Sequence, residues 1–257
     1  LATGNSVPFT FAHPAIVIPF NKQIPKYFNI TALILGSMAP DFEYFLRFKP
    51  IGEMGHTSLG VFYFDLPTVF IMAFLWNYII KKTFILSLPH PFDKKLSYFV
   101  DKKSNVINIK YLIIFVFSAL LGVYSHILWD AFTHKTGFFV TRIALLSNNI
   151  KIMNFKIPIY KILQHGSTLI ATIYIIIYIF SIMRYNPKKV DYFRKSTKIL
   201  YWSFIIFMTL LITTYRILFT LNFFSLRYFG IYIVSFISSG ILSVLIISAI
   251  FNISLEK

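Results

Sequence analysis

The chain has 257 residues, of which 57% are hydrophobic and 19% aromatic, while only 13% are charged. A soluble domain carries about 25% charged residues, so this composition excludes an ordinary water-soluble fold and points to an integral membrane protein. The formal charge of +16 does not read as a nucleic-acid signal, because the basic residues gather in short loops beside apolar runs, where they set topology.

Residues 1–6 (LATGNS) read as an extension. No charged segment followed by an apolar core opens the chain, so no cleavable signal peptide is expected. Two short apolar stretches follow, 14–20 and 30–48. Gly36, Pro40, Asp41, Glu43 and Arg47 interrupt the second, so both are expected as interfacial or re-entrant pieces packed against a bundle. Five later segments have the roughly 20 apolar residues that a crossing helix needs: 57–80, 111–132, 166–183, 200–220 and 230–252. The expected fold is therefore all-α, a polytopic membrane helix bundle forming one domain over residues 1–257. Within it, 7–183 carry the motifs and 184–257 add two further transmembrane helices.

Lysine and arginine orient these spans. Residues 81–110 hold Lys81, Lys82, Lys94, Lys95, Lys102, Lys103 and Lys110, and 184–199 hold Arg184, Lys188, Lys189, Arg194, Lys195 and Lys198. The alternating loops are sparser: 133–165 carry five basic residues and 221–229 only Arg227. The dense loops are expected in the cytoplasm. The N-terminal region and the 133–165 loop then face outward, as suits a bacterial inner-membrane protein.

That sidedness gathers the polar residues. His126 lies about 24 Å up the second span from Lys110, and Asp130 about 30 Å, at the outer edge of the hydrocarbon core. His13, Asp41, His56 and His165 are expected at the same level; His90 falls on the inner side as a loop residue. His126, Asp130 and His134 follow at i, i+4 and i+8, drifting only about 40° per step, so they share a face. His126 and His134 are about 12 Å apart along a straight helix, too far for one ion. Asp130 between them could bridge two metals, or the helix could end after it and let His134 fold back. With no cysteine, disulfides and thiolate metal sites are excluded, and a divalent ion such as zinc, one to three per chain, must be held by nitrogen and oxygen.

An ionisable group in an apolar helix costs several kcal/mol, about 2.5–3.5 on insertion scales, unless it is paired or wet. Asp130 and Asp65 both pose that question. Asp65 is assigned either to support of a metal-bound histidine or to a structural hydrogen bond, with Pro67 loosening its helix. Glu43 is a candidate general base. Arg47 and Arg142 face outward, toward lipid headgroups or an anionic substrate.

The stretches PFTFAHPA, GSMAPDFEYF, GHTSLGVFYFDLP, YSHILWDAFTH and LQHGS together resemble an uncharacterised family of bacterial membrane proteins known only as a domain of unknown function. The resemblance runs over about residues 7–183. The SH-x3-D-x3-H element is also similar to the metal-binding helix of the zinc-dependent phospholipase C and single-strand nuclease group. The APD and GHTS elements are similar to membrane-bound metal-dependent hydrolases. These likenesses imply that His126, Asp130 and His134 are metal ligands, with Asp41 and His56 at the corresponding "PD" and "H-T/S" positions. Here the aspartate is followed by Ala-Phe-Thr-His rather than the proline-rich turn of the soluble phospholipases.

The expected activity is metal-dependent hydrolysis at the outer face of the inner membrane. The ion would acidify a bound water and polarise a phosphoryl or acyl oxygen, and the substrate would be a membrane lipid or lipid-linked ester. Two alternatives stand beside it: an ion- or proton-coupled transporter, for which five spans without a repeat is an unusual plan, and a membrane protein with a structural metal or a polar cluster.

Overall fold

A computed structural model describes residues 9–24, 26–100, 108–152, 155–183, 190–220 and 228–255. The expected extension at 1–6 lies outside these residues, as do Lys102, Lys103, Arg184, Lys188, Lys189 and Arg227 of the topogenic loops. The described chain is almost wholly helical, and five helices are long and apolar enough to cross a membrane: Val61–Ser87, Ile109–Thr133, Ile159–Ile182, Lys195–Phe219 and Phe229–Ile253.

Three short helices precede the spans, α1 (Pro14–Gln23), α2 (Ile30–Gly36) and α3 (Ala39–Arg47). The first two form a hairpin packed against the second span, as expected of interfacial or re-entrant pieces. At one end His13 lies beside Trp129, with ring centroids 5.4 Å apart. At the far end Lys26 and Tyr27 border a hollow with Ile109 and Lys110. The return limb is tied by the Asn29 backbone N–H donating to Ser118 Oγ at 2.9 Å, while Asn29 Oδ1 caps α2 by accepting from Ala32 N–H. Glycine permits this closeness. A Cβ on Gly36 would stand 2.3 Å from the Ala119 carbonyl oxygen, and one on Gly122 would stand 2.5 Å from that of Leu33. Small residues let helix backbones meet inside apolar surroundings, and here they set the height of everything after α2.

The largest departures from the expected span boundaries are the end of the first span and the start of the third. The first span continues past residue 80 to Ser87, because Lys81 is buried and donates to Asn77 Oδ1 one turn earlier at 2.9 Å. The third begins at Ile159, a turn and a half or more before residue 166, and so carries Gln164 and His165 on its helical surface. A two-stranded antiparallel hairpin, Asn149–Ile152 with Phe155–Pro158, leads into it; the sequence reading did not include this piece.

The fourth and fifth spans pack on each other as a pair. Tyr201 is fully buried, with its hydroxyl 2.9 Å from Ser248 Oγ. One end of the pair holds the C-terminal end of α3, where Phe48 adopts a left-handed conformation (φ 54°). Arg216 Nη2 and Ser235 Oγ each donate to the Phe48 carbonyl at 3.3 Å. The other end holds the last turn of the first span: Trp202 Nε1 donates to the Ser87 carbonyl at 2.8 Å, and Lys198 pairs with Asp93.

Candidate metal centre

The second span presents His126 and Asp130 one turn apart, both buried. The close glycine crossing lays the end of α2 over that turn, and His126 Nδ1 meets the Ser37 carbonyl oxygen at 2.8 Å. A carbonyl can only accept, so Nδ1 carries the proton and the lone pair sits on Nε2. That atom points at two carboxylates, 3.3 Å from Asp130 Oδ2 and 3.6 Å from Asp41 Oδ1.

Asp41 arrives from the first turn of α3, whose start is set by Ala39 and Pro40. Its Oδ2 accepts from Thr10 Oγ1 at 2.6 Å, which leaves Oδ1 for the centre. Burial raises the Asp41 carboxyl above its usual range, with Asp130 acting the same way and His126 and His56 opposing.

His56 arrives from the loop ahead of the first span. Its Nε2 lies 3.4 Å from Asp130 Oδ2 and 3.8 Å from Asp41 Oδ1. Glu43 holds this loop. Its Oε2 accepts from the backbone N–H groups of Glu53, Met54 and Gly55 at 2.9, 2.9 and 3.1 Å, and Oε1 pairs with Arg47 at 2.9 Å. Burial alone would raise this carboxyl, but the three N–H groups and Arg47 outweigh it and hold Glu43 below its usual range. Gly55 passes so near α3 that a Cβ there would stand 2.4 Å from the Pro40 carbonyl oxygen. Glu43 thus places His56 through Oε2, while Oε1, charge-paired with Arg47, has no hydrogen-bond partner among the described residues. Tyr44 stacks on the His56 ring at 6.0 Å.

Donor atoms of Asp41, His56, His126 and Asp130 all lie within 4.8 Å of one another. Four ligands about 2.0–2.1 Å from a tetrahedral zinc ion sit about 3.3–3.4 Å apart; the four His–Asp distances here run from 3.3 to 3.8 Å. Asp41 Oδ1 and His126 Nε2 are buried and have no hydrogen-bond partner among the described residues, a costly state that a cation would relieve. Two imidazoles and two carboxylates suit zinc or another first-row divalent ion, so the residues fit such an ion.

The other sequence candidates divide. His13, buried, stacks on His126 with centroids 3.8 Å apart, and its Nε2 is 3.7 Å from Asp130 Oδ1. Burial, helped by His126, holds its imidazole well below the usual value. The second span ends at Thr133, and His134 turns into an extended conformation that brings its Nδ1 3.3 Å from Asp130 Oδ1. His165 is exposed; one residue earlier on the same helix, Gln164 faces inward and its amide reaches His134 Nε2 at 3.3 Å. Asp65 is fully buried at the wide turn opening the first span. Neither of its oxygens has a hydrogen-bond partner among the described residues, and the group that orients His126 is the Ser37 carbonyl. His90 is exposed near Asp93, remote in sequence and partners from the centre. Arg47 pairs with Glu43 and Glu53, and Arg142 lies over the Phe138 ring.

Ser37, Thr10 and Gln164 have roles the sequence reading did not assign. Thr10 stands one turn before His13, and Gln164 is a helical neighbour of His165, so spacing could have raised both. A backbone carbonyl such as that of Ser37 leaves no side-chain signal.

Fold and centre together define a multi-pass helical membrane protein with a buried His/Asp cluster able to hold a metal ion. The chain matches the family model described as Domain of unknown function (DUF4184) over residues 7–249. It belongs to that family, and the match takes in every cluster residue and continues into the fifth span. No curated protein and no solved structure matches the chain.

Proposed function

We propose that the protein is a metal-dependent hydrolase of a bacterial inner membrane, acting at its outer face on a lipid or lipid-linked ester. The observation that carries this reading is the uneven exposure of the centre. The His126 side chain is fully buried, whereas those of His56 and His134 are 31% and 26% exposed. A structural site is closed on all sides, while a catalytic one keeps a position open. A divalent ion there would supply Lewis-acid polarisation of an ester oxygen and an acidified water. The chain's own residues orient and shield: Ser37 fixes the His126 tautomer, Thr10 turns Asp41, and Glu43 places His56. Phe42, Phe45 and Val123, near Asp41 and His126 in sequence, belong to the buried apolar core. Exposed Phe9, Leu59, Phe62 and Tyr63 stand near the cluster residues in sequence, an apolar approach suited to a lipid.

The test is release of a polar headgroup fragment from phospholipids, lipid phosphates or lipid-linked sugars in mixed micelles. Turnover should stop on chelation and return with zinc. Metal bound without any chelator-sensitive turnover would favour a structural ion. Sidedness is checked separately in the cysteine-free chain: Asn148→Cys should react with an impermeant thiol reagent in intact cells and Lys95→Cys should not, and the reverse would place the centre in the cytoplasm.

A further inference from the structure

The turn of the N-terminal hairpin meets the start of the second span, at the opposite end of that span from the His/Asp cluster. The Tyr27 N–H closes this turn on the Ile24 carbonyl at 3.1 Å. Lys26 and Tyr27 from the turn border an open hollow of about 390 Å³ with Ile109, Lys110, Ile113 and Ile114 from the first turns of the span. His126 lies about 24 Å further along the same helix. We infer that this hollow is the seat of one anionic phospholipid, its phosphodiester held by Lys26, Lys110 and Tyr27 and its acyl chains laid along the isoleucines. The inference does not depend on any metal in the cluster.

Three observations select this occupant. The first is charge. Two ammonium groups from separate segments border the hollow, and none of the residues lining it is acidic, so an anion between them removes a repulsion. Basic hollows beside membrane helices take phospholipid headgroups in this way, and tyrosine belongs at the same interfacial level, where its hydroxyl can donate to a phosphate oxygen. The second is the apolar floor. Ile109 and Ile113 stand one helical turn apart on one face and are both largely exposed. A soluble anion would leave that surface bare, whereas acyl methylenes cover it. The third is where the floor leads. Phe117, one turn beyond Ile113 on the same face, is exposed and stacks on Phe28 with centroids 6.1 Å apart. Phe28 in turn lies 5.8 Å from Phe20, so an aromatic track runs from the hollow along the span toward the bilayer centre, as an acyl chain does.

Native mass spectrometry tests this directly. Detergent-purified full chain, chelator-treated so that the cluster turns over no lipid, is titrated with phosphatidylglycerol or phosphatidylcholine, with glycerol phosphate in excess as a soluble competitor. The tightest site should take one phosphatidylglycerol per chain, prefer it to phosphatidylcholine, and keep it in the presence of glycerol phosphate. Lys26→Gln combined with Lys110→Gln should weaken binding about 30-fold, about 1 kcal/mol for each lysine. Lys82→Gln combined with Lys95→Gln removes the same charge elsewhere and should change nothing. All four lysines are exposed, so both variants should fold. Equal affinity for the two lipids, or no bound phosphatidylglycerol, would overturn the seat. Displacement by glycerol phosphate would overturn the acyl part and with it the lipid. Full affinity in the Lys26 and Lys110 variant would place the lipid elsewhere, the cluster included, and overturn the assignment to this hollow. The wild-type comparison of the two lipids decides even where a variant fails to fold.

Discussion

The region around the second span and the pair formed by the fourth and fifth spans both bury polar side chains in apolar surroundings, but of opposite kinds. Around the second span they are ionisable: His13, Asp41, Glu43, Asp65, His126 and Asp130. In the C-terminal pair they are hydroxyls: Thr209, Thr213, Ser235, Ser238, Ser239, Ser243 and Ser248. A hydroxyl can return its proton to its own helix, as Thr209 does to the Ile205 carbonyl and Ser239 to that of Ser235. Others reach across the structure, Ser235 to the Phe48 carbonyl and Ser248 to the Tyr201 hydroxyl, and Thr213, Ser238 and Ser243 have no hydrogen-bond partner among the described residues. A carboxylate only accepts, and must find donors or a cation from elsewhere. The first kind of burial demands donors or a cation from elsewhere; a hydroxyl has the further option of its own helix backbone.

The contrast is broken most severely at Asp130. Asp130→Ala removes an oxygen from every histidine of the cluster, and elemental analysis should find most bound zinc lost, while His90→Ala keeps it all. Next in size is the helix crossing. Gly122→Val should lower stability by about 1–3 kcal/mol through overpacking, read as thermal unfolding in detergent. By shifting Ser37 off His126 it should also weaken zinc binding about 10–100-fold, the usual cost of a lost supporting partner. Glu43→Gln should lie toward the lower end, about 10-fold in zinc affinity: an amide cannot accept three N–H groups and Arg47 as a carboxylate does. The same carboxyl carries a pH signature. Its folded pKa is depressed, so its contribution to stability is full above the ordinary glutamate range and is lost as pH falls through the folded value. Wild-type protein should therefore lose stability on acidification below about pH 4 more steeply than Glu43→Gln. The smallest effect belongs to the other region. Ser239→Ala should change stability by less than about 1 kcal/mol and leave zinc content unaltered; a large loss of metal there would erase the distinction between the two regions.

Much of this was legible in the sequence, for reasons that follow from the same contrast. Apolar length alone identified five spans, and the breaks at Gly36 and Pro40 marked the N-terminal helices as too short to cross. Asp41, His56, His126 and Asp130 stood out because ionisable groups are rare in such surroundings, and the structure brings those four together. Span ends were less legible. Lys81 looks like a loop residue until Asn77 is seen to satisfy it, and the earlier start of the third span exchanges His165 for Gln164 as the inward residue. Glu43 resembled a base by its nearness to Asp41; only the fold of residues 53–55 shows where its oxygens go. The choice between a straight helix and a folded-back His134 depended on a helix end that no single residue type encodes.

The N-terminal hairpin has a consequence for biosynthesis. Its contacts with the second span, Asn29 to Ser118 and Ser37 to His126, each join residues 89 apart. Chains are made from the N-terminus onward, so the hairpin leaves the ribosome while the helix that covers it has not been translated. Its contacts with the second span form only once that span has been made. The histidine and aspartate donors therefore remain scattered throughout the early part of synthesis. An ion held by Asp41, His56, His126 and Asp130 would thus be loaded only after the second span is in place.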